Sequence, residues 1–163
     1  GLILGVKAAS LKTIVQSVCI EPEDIADEHK QKIVALINAA AATLHSADAT
    51  FPLVLVTPDD ITINHNFVGA GYALVSPEAK EAITLLHSAD GIKLDGTYAG
   101  KAFAALLADI AANQTLRTKT ILFWDSFCAG DFADITKNID YHVLPRDYHL
   151  YFNYPIQAND QGV

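Results

Sequence analysis

Two tyrosines stand where a backbone can come close to a ligand: Tyr72 in "GAGYALVS" and Tyr98 in "LDGTYAGKA". Each lies in a glycine-lined loop next to a helix start, the kind of turn where open α/β sheets collect ligands. A phenol titrates near ~10 when unperturbed. A nearby cation would lower that value and let it trade protons closer to neutrality. The competing expectation is that both rings simply pack. Elsewhere the chemistry is thin. Ser76 and Ser126 have no glycine elbow around them, and no P-loop, dinucleotide-binding or zinc spacing occurs. His142 and His149, in two copies of Asp-Tyr-His, have no carboxylate or thiolate cluster at ligand spacing, so packing or a partner contact is expected of them. His29, His45, His65 and His87 each stand singly and carry the same expectation. Cys19 and Cys128 make no disulfide framework, and Cys128, after an apolar run, is expected as a buried, inert thiol, with a reactive thiol as the alternative.

The elements that must position the tyrosines alternate. "GLILGVKAAS" reads as a helix with Leu2, Ile3 and Val6 at helical spacing, and residues 13–20 as a strand. Pro22 opens a long helix with acids in its first turn and an apolar stripe of Ile33, Leu36, Ile37, Ala40 and Leu44. "FPLVLVTPDD" is open between strand and loop, "DITINHNF" alternates like a short strand, and "VGAGYALVS" is a glycine loop. Ser76-Pro77-Glu78 starts a helix whose buried side is Ile83, Leu85 and Leu86. Ile92 to Leu94 follows as a short strand or extended piece, then a helix over 100–113, then "KTILFWDS" as a fully buried strand. Lys101, just inside a helix start, reads as structural or as charge near the site, and Gly100 as close helix–sheet packing. The pattern predicts an α/β fold, a three-layer parallel sheet with helices on both faces. Residues 1–130 form one domain, and 131–163 an aromatic-rich tail.

The totals set bounds. At 163 residues and 51% hydrophobic, the chain suits one well-buried domain. The net charge of −8, with no run among the 11 basic residues, argues against nucleic acid. No stretch approaches a membrane span, and the cysteine usage suits the cytoplasm. The chain has no methionine and opens on an uncapped helix, so it is expected to begin inside a larger product.

The residues also carry a resemblance. "GYALVSPEAKEAITLLHSADGIKLDGTYAGKAFAALLADI", followed by "ILFWDS", resembles the C-terminal part of fold-type-II pyridoxal-phosphate enzymes, in the D-cysteine desulfhydrase and 1-aminocyclopropane-1-carboxylate deaminase branch. Tyr72, Glu81-Ala82-Ile83, Leu85-Leu86, Asp90-Gly91-Ile92, Asp95, Tyr98, Gly100 and Lys101 fall in the branch's register without gaps. The likeness spans roughly residues 1–126 and is most specific over 69–126.

It implies chemistry on a small amino acid with pyridoxal 5′-phosphate as electron sink, in a homodimer, releasing ammonia and a 2-keto acid. Tyr98 would face the substrate, and Tyr72 would bind its carboxylate or relay protons. The residue after Tyr98, here Ala99, would lie by the pyridine nitrogen, and Ser126 would offer that nitrogen a hydroxyl. The family's Schiff-base lysine and phosphate loop precede the stretch corresponding to Gly1, so the 163 residues alone are expected not to catalyse. Ala99 lacks the polar group the branch carries there. Asp125, Phe127 and Cys128 replace a histidine and two glycines, and Asp95-Gly96 replaces Asp-Pro. These departures support an alternative: a non-catalytic relative that binds a ligand or protein partner.

Overall fold

The alternating stretch around residues 13–20 and the "DITINHNF" segment pair with each other. In the computed structural model, which describes residues 1–21, 26–128 and 130–153, β1 (Gln16–Val18) runs parallel to β2 (Thr62–Asn64). Gln16 lies opposite Thr62 and Val18 opposite Asn64. A parallel pair needs a long crossover, and α2 (Ala26–Ala47) lies within it. The expected start of that helix at Pro22 falls outside the described residues. The chain divides into two units, Gly1–Gly71 and Tyr72–Val163.

In the first unit, α1 (Leu2–Ala8) contributes Leu4 to a core with Ile37, Ala41, Val54, Val56 and Ile61. Full burial of such aliphatic side chains is worth roughly 1.5–3 kcal/mol each. Of the expected α2 stripe, Ile33, Ile37 and Ala40 face this core, whereas Leu36 and Leu44 are exposed. The face that packs is the one carrying Val34, Ile37 and Ala41, and Leu36 is rotated off it. The ambiguous "FPLVLVTPDD" segment forms no strand and has no ladder partner among the described residues. Val54 and Val56 point inward, and Leu53 and Leu55 point out. Asn38 of α2 serves as its substitute neighbour. Its amide nitrogen donates to Val56 O (3.1 Å), and its amide oxygen accepts from Val56 N (2.9 Å). A 3₁₀ turn at Pro58–Asp60 follows, held by Thr57 N–H donating to the Asp60 carboxylate and by an ion pair between Lys7 and Asp60.

In the second unit, α3 (Pro77–Asp90) begins as expected: Ser76 caps it by accepting from Ala79 N at 3.2 Å, with Pro77 in the first turn. It ends at Gly91, whose φ of 71° is the left-handed conformation that glycine adopts at least cost. Ile83 is buried and Leu86 partly so, but Leu85 is exposed, which corrects that part of the predicted face. α4 (Ala99–Ala112) packs on α3.

Ile92–Leu94, expected as a short strand or extended piece, is not a strand, and the strand predicted at "KTILFWDS" does not form. Ile92–Leu94 is irregular, with Leu94 buried and Ile92 exposed. "KTILFWDS" is extended, yet Leu122 is 79% and Trp124 62% exposed. A run of this kind is buried only when strands pair along its edges and helices cover both faces. Among the described residues no strand pairs with it, and only Phe123 finds cover, edge-on to Phe103 at 5.1 Å. Helices with a small parallel sheet are compatible with an α/β fold.

Short helices α5 (Ala133–Thr136) and α6 (Leu150–Asn153) bracket an aromatic cluster. There Tyr141 stacks on His142 (4.1 Å) and on Phe152 (4.6 Å), and His149 meets it edge-on. The two tail histidines therefore pack, as expected. No described helix is long and apolar enough to cross a membrane.

Candidate functional site

Asp95 builds the turn that presents Tyr98. One carboxylate oxygen accepts from Thr97 N (2.9 Å) and Tyr98 N (2.6 Å), and the other from Ala99 N (2.9 Å). These are N–H groups that a helix start leaves without intrahelical partners. Gly100 N–H then donates to Asp95 O at 2.8 Å. The glycine is needed for closeness: a Cβ there would lie 2.6 Å from Ile83 Cδ1 and 2.7 Å from Asp95 O. The close approach is thus to α3 and to the turn, rather than to a sheet. Gly96 sits equally tight against Val75, where a Cβ would come within 2.3 Å of a methyl.

Tyr72 arrives from the glycine loop between two residues with positive φ, Gly71 at 155° and Ala73 at 58°. For an alanine, that left-handed conformation costs roughly 1–2 kcal/mol. Backbone strain of this kind persists where surrounding structure enforces it, often at functional sites. The result is a pair: the Tyr72 and Tyr98 hydroxyls lie 2.5 Å apart and the rings meet edge-on at 6.2 Å. Both side chains are open to solvent, at 61% and 50% exposure. The hydrogen bond to Tyr72 raises the Tyr98 pKa above the ordinary phenol value, reinforced by desolvation and the nearby Asp95 charge. In this chain the pull on Tyr98 is therefore upward, opposite to the lowering expected beside a cation.

The structure brings together two of the four predicted site residues. Ala99 is buried at the start of α4, and its N–H is taken by Asp95. Ser126 is exposed on the extended segment after residue 120, and among the described residues it bonds to neither phenol. Asp95 and Ala73, which set the tyrosines' positions, were not singled out for that role. The Asp-Gly pair was the available signal for the turn, and no local signal marks Ala73. Lys101 is fully buried within α4, which pushes its amine pKa down and suits the structural role expected of it. Cys128 is exposed, correcting the expectation of a buried thiol. His29, expected to stand alone, bonds to Glu21 and approaches Cys19. Among the described residues, no group of three or more His, Cys, Asp or Glu side chains is disposed to hold a metal ion.

The parallel strand pair of the first unit and the packed helices of the second, which carry the phenol pair at a helix start, are each compatible with an α/β fold. Over 96 residues the chain is 32% identical to D-cysteine desulfhydrases of Salmonella newport (strain SL254), Salmonella heidelberg (strain SL476) and Salmonella agona (strain SL483). The matched stretch is 59% of this chain and 26% of each relative, so the chain spans about a quarter of the length of the curated relatives it matches. No family model matches the chain. The resemblance to the D-cysteine desulfhydrase family carried by the motifs is thereby shown.

Proposed function

We propose that this chain is part of a pyridoxal 5′-phosphate-dependent lyase or deaminase acting on a small amino acid, with D-cysteine the first candidate. The observation that carries the reading is the exposed phenol pair, 2.5 Å between hydroxyls, within the stretch most like the desulfhydrases. Residues 1–130 then supply part of a three-layer cofactor domain, with 131–163 as its tail.

The described residues fit one edge of such a cofactor site. Tyr98 and Tyr72 offer hydroxyls to a substrate, and Ser126 is the group available to the pyridine nitrogen. Ala99 does not fit a binding role, because its methyl is buried and its N–H is already used. When bound, the cofactor supplies a sink for the electrons left on the substrate's α-carbon. The protein's part is proton traffic. With its pKa raised, Tyr98 is neutral near pH 7 and enters as an acid. Tyr98 Oη passes its proton to the departing sulfur or nitrogen of the substrate, and Tyr72 Oη replaces it across the short hydrogen bond while taking its own proton back from solvent, to which both side chains are open.

The test is the visible absorbance of the full-length gene product, with and without added pyridoxal phosphate, before and after borohydride. A band that D-cysteine perturbs supports the reading, and Tyr98→Phe should then lower turnover by about 100-fold or more, the usual scale for a positioned acid. No band at saturating cofactor overturns it. That outcome would favour the second reading, a non-catalytic relative binding a ligand or partner, for which the loss of a polar group at Ala99 is the specific observation.

A further inference from the structure

Directly after β1 comes a cysteine, Cys19, that sequence spacing leaves isolated but the fold does not. Cys19 Sγ lies 3.8 Å from His29 Nδ1 on α2, and the other ring nitrogen, Nε2, is 2.8 Å from Glu21 Oε2. Glu21 N–H also donates to Cys19 Sγ at 3.5 Å. The order is nucleophile, base, orienting carboxylate, the arrangement that activates a thiol. The imidazole uses opposite edges for sulfur and carboxylate, so the three stand in series rather than around a common point where a metal would sit. Cys19 and His29 open onto a shallow cavity of ≈ 290 Å³ lined also by Ser17, Val18, Ile33 and Ile63. That is small-molecule size, near the ~300 Å³ lower bound of ligand pockets.

We propose that Cys19 is a reactive thiol that exchanges with a low-molecular-weight aliphatic disulfide, with His29 as its base and Glu21 as a positioning residue. His29 Nδ1 takes the thiol proton, and the thiolate attacks one sulfur of the disulfide. The Cys19–S bond forms, the S–S bond breaks, and the leaving thiolate takes the proton back from His29. The cysteine sulfur is oxidised and the departing sulfur is reduced, so the disulfide is the only oxidant needed. Disulfide exchange suits the site better than acyl transfer. Acyl transfer needs donors aimed at a developing oxyanion, whereas the Glu21 N–H faces the sulfur itself. Val18, Ile33 and Ile63 give the alkyl arms an apolar wall. Among the described residues, the other charges at this face are Lys32, which lines the cavity, and Glu28, paired with it at 2.6 Å; β2 itself brings no titratable side chain. All three residues lie within the unit Gly1–Gly71.

The experiment treats the full-length gene product at pH 7 with 2-hydroxyethyl disulfide and follows each cysteine peptide by mass spectrometry. Cys128, exposed, serves as the internal reference. An ordinary thiol is about 3% ionised at pH 7, so complete activation raises its rate at most about 30-fold. The expected result is Cys19 reacting about 10-fold faster than Cys128, within that ceiling. His29→Gln removes the advantage and leaves Cys128 unchanged, and Glu21→Gln lowers it part-way. The His29→Gln loss is also smaller with an aryl disulfide, whose leaving thiolate needs no proton. Equal rates at the two cysteines, or a Cys19 rate that survives His29→Gln in a variant with native circular dichroism, overturns the proposal.

Discussion

Tyr98 carries two roles that separate experimentally: its backbone ends a cap, and its hydroxyl shares a proton. A folded-state pKa raised by a hydrogen bond means the bond's contribution is fully present below the ordinary phenol value near ~10. It is lost as pH rises through the higher folded value. Tyr72→Phe should therefore bring the Tyr98 titration down, seen as earlier growth of tyrosinate absorbance than in the parent. An unchanged titration would mean that the pairing is not formed in solution. Asp95 is the other decisive residue. Asp95→Ala strips three N–H groups of their acceptor, so a loss of about 1–2 kcal/mol is expected in urea melts, the size of a strong cap. The candidate tyrosines were legible because glycines flank both. Their pairing was not, because positions 72 and 98 meet only through the packing of the segments between them. The Cys19–His29 contact was hidden for the same reason.

At the scale of elements, local signals were read correctly and burial was not. Ser76-Pro77-Glu78 is a self-contained instruction, and the start of α3 follows it. "KTILFWDS" looks like a core strand from composition, but composition cannot supply a pairing partner. Leu36 and Leu85 were misassigned because an apolar residue at the edge of a helical stripe is buried only if something lies opposite. Gly100→Ala separates the two kinds of influence. Helix propensity favours alanine by about 1 kcal/mol. The new methyl would however press on Asp95 O, a backbone atom, as well as on Ile83. Overpacking of that kind costs about 1–3 kcal/mol, so a net loss in thermal stability is expected. A gain would show that α4 slides without resistance.

For the molecule as a whole, the proportion of exposed apolar side chains decides behaviour in solution. Leu122 and Trp124 lie on an extended segment without a strand partner among the described residues, and such edges invite pairing with another chain. The 163-residue chain should therefore self-associate with rising concentration in light scattering, and Trp124→Lys should shift the onset upward. Concentration-independent scattering would show these side chains to be harmless. The homodimer expected from the resemblance is tested by the same measurement on the full-length product.

The parallel pairing of β1 with β2 also says something about how the first unit is reached. Gln16 and Thr62 come together across 46 positions of chain, a closure costing about 3 kcal/mol in entropy beyond its constant part. Three residues of ladder on each side cannot repay that alone. Were α2 to form first, it would shorten the flexible span that remains, and the Asn38–Val56 bonds would fasten the returning segment ahead of the strands. The rate of acquiring native structure in this unit should then follow the helicity of α2 more closely than the composition of either strand, so the crossover is where its kinetics would be tuned.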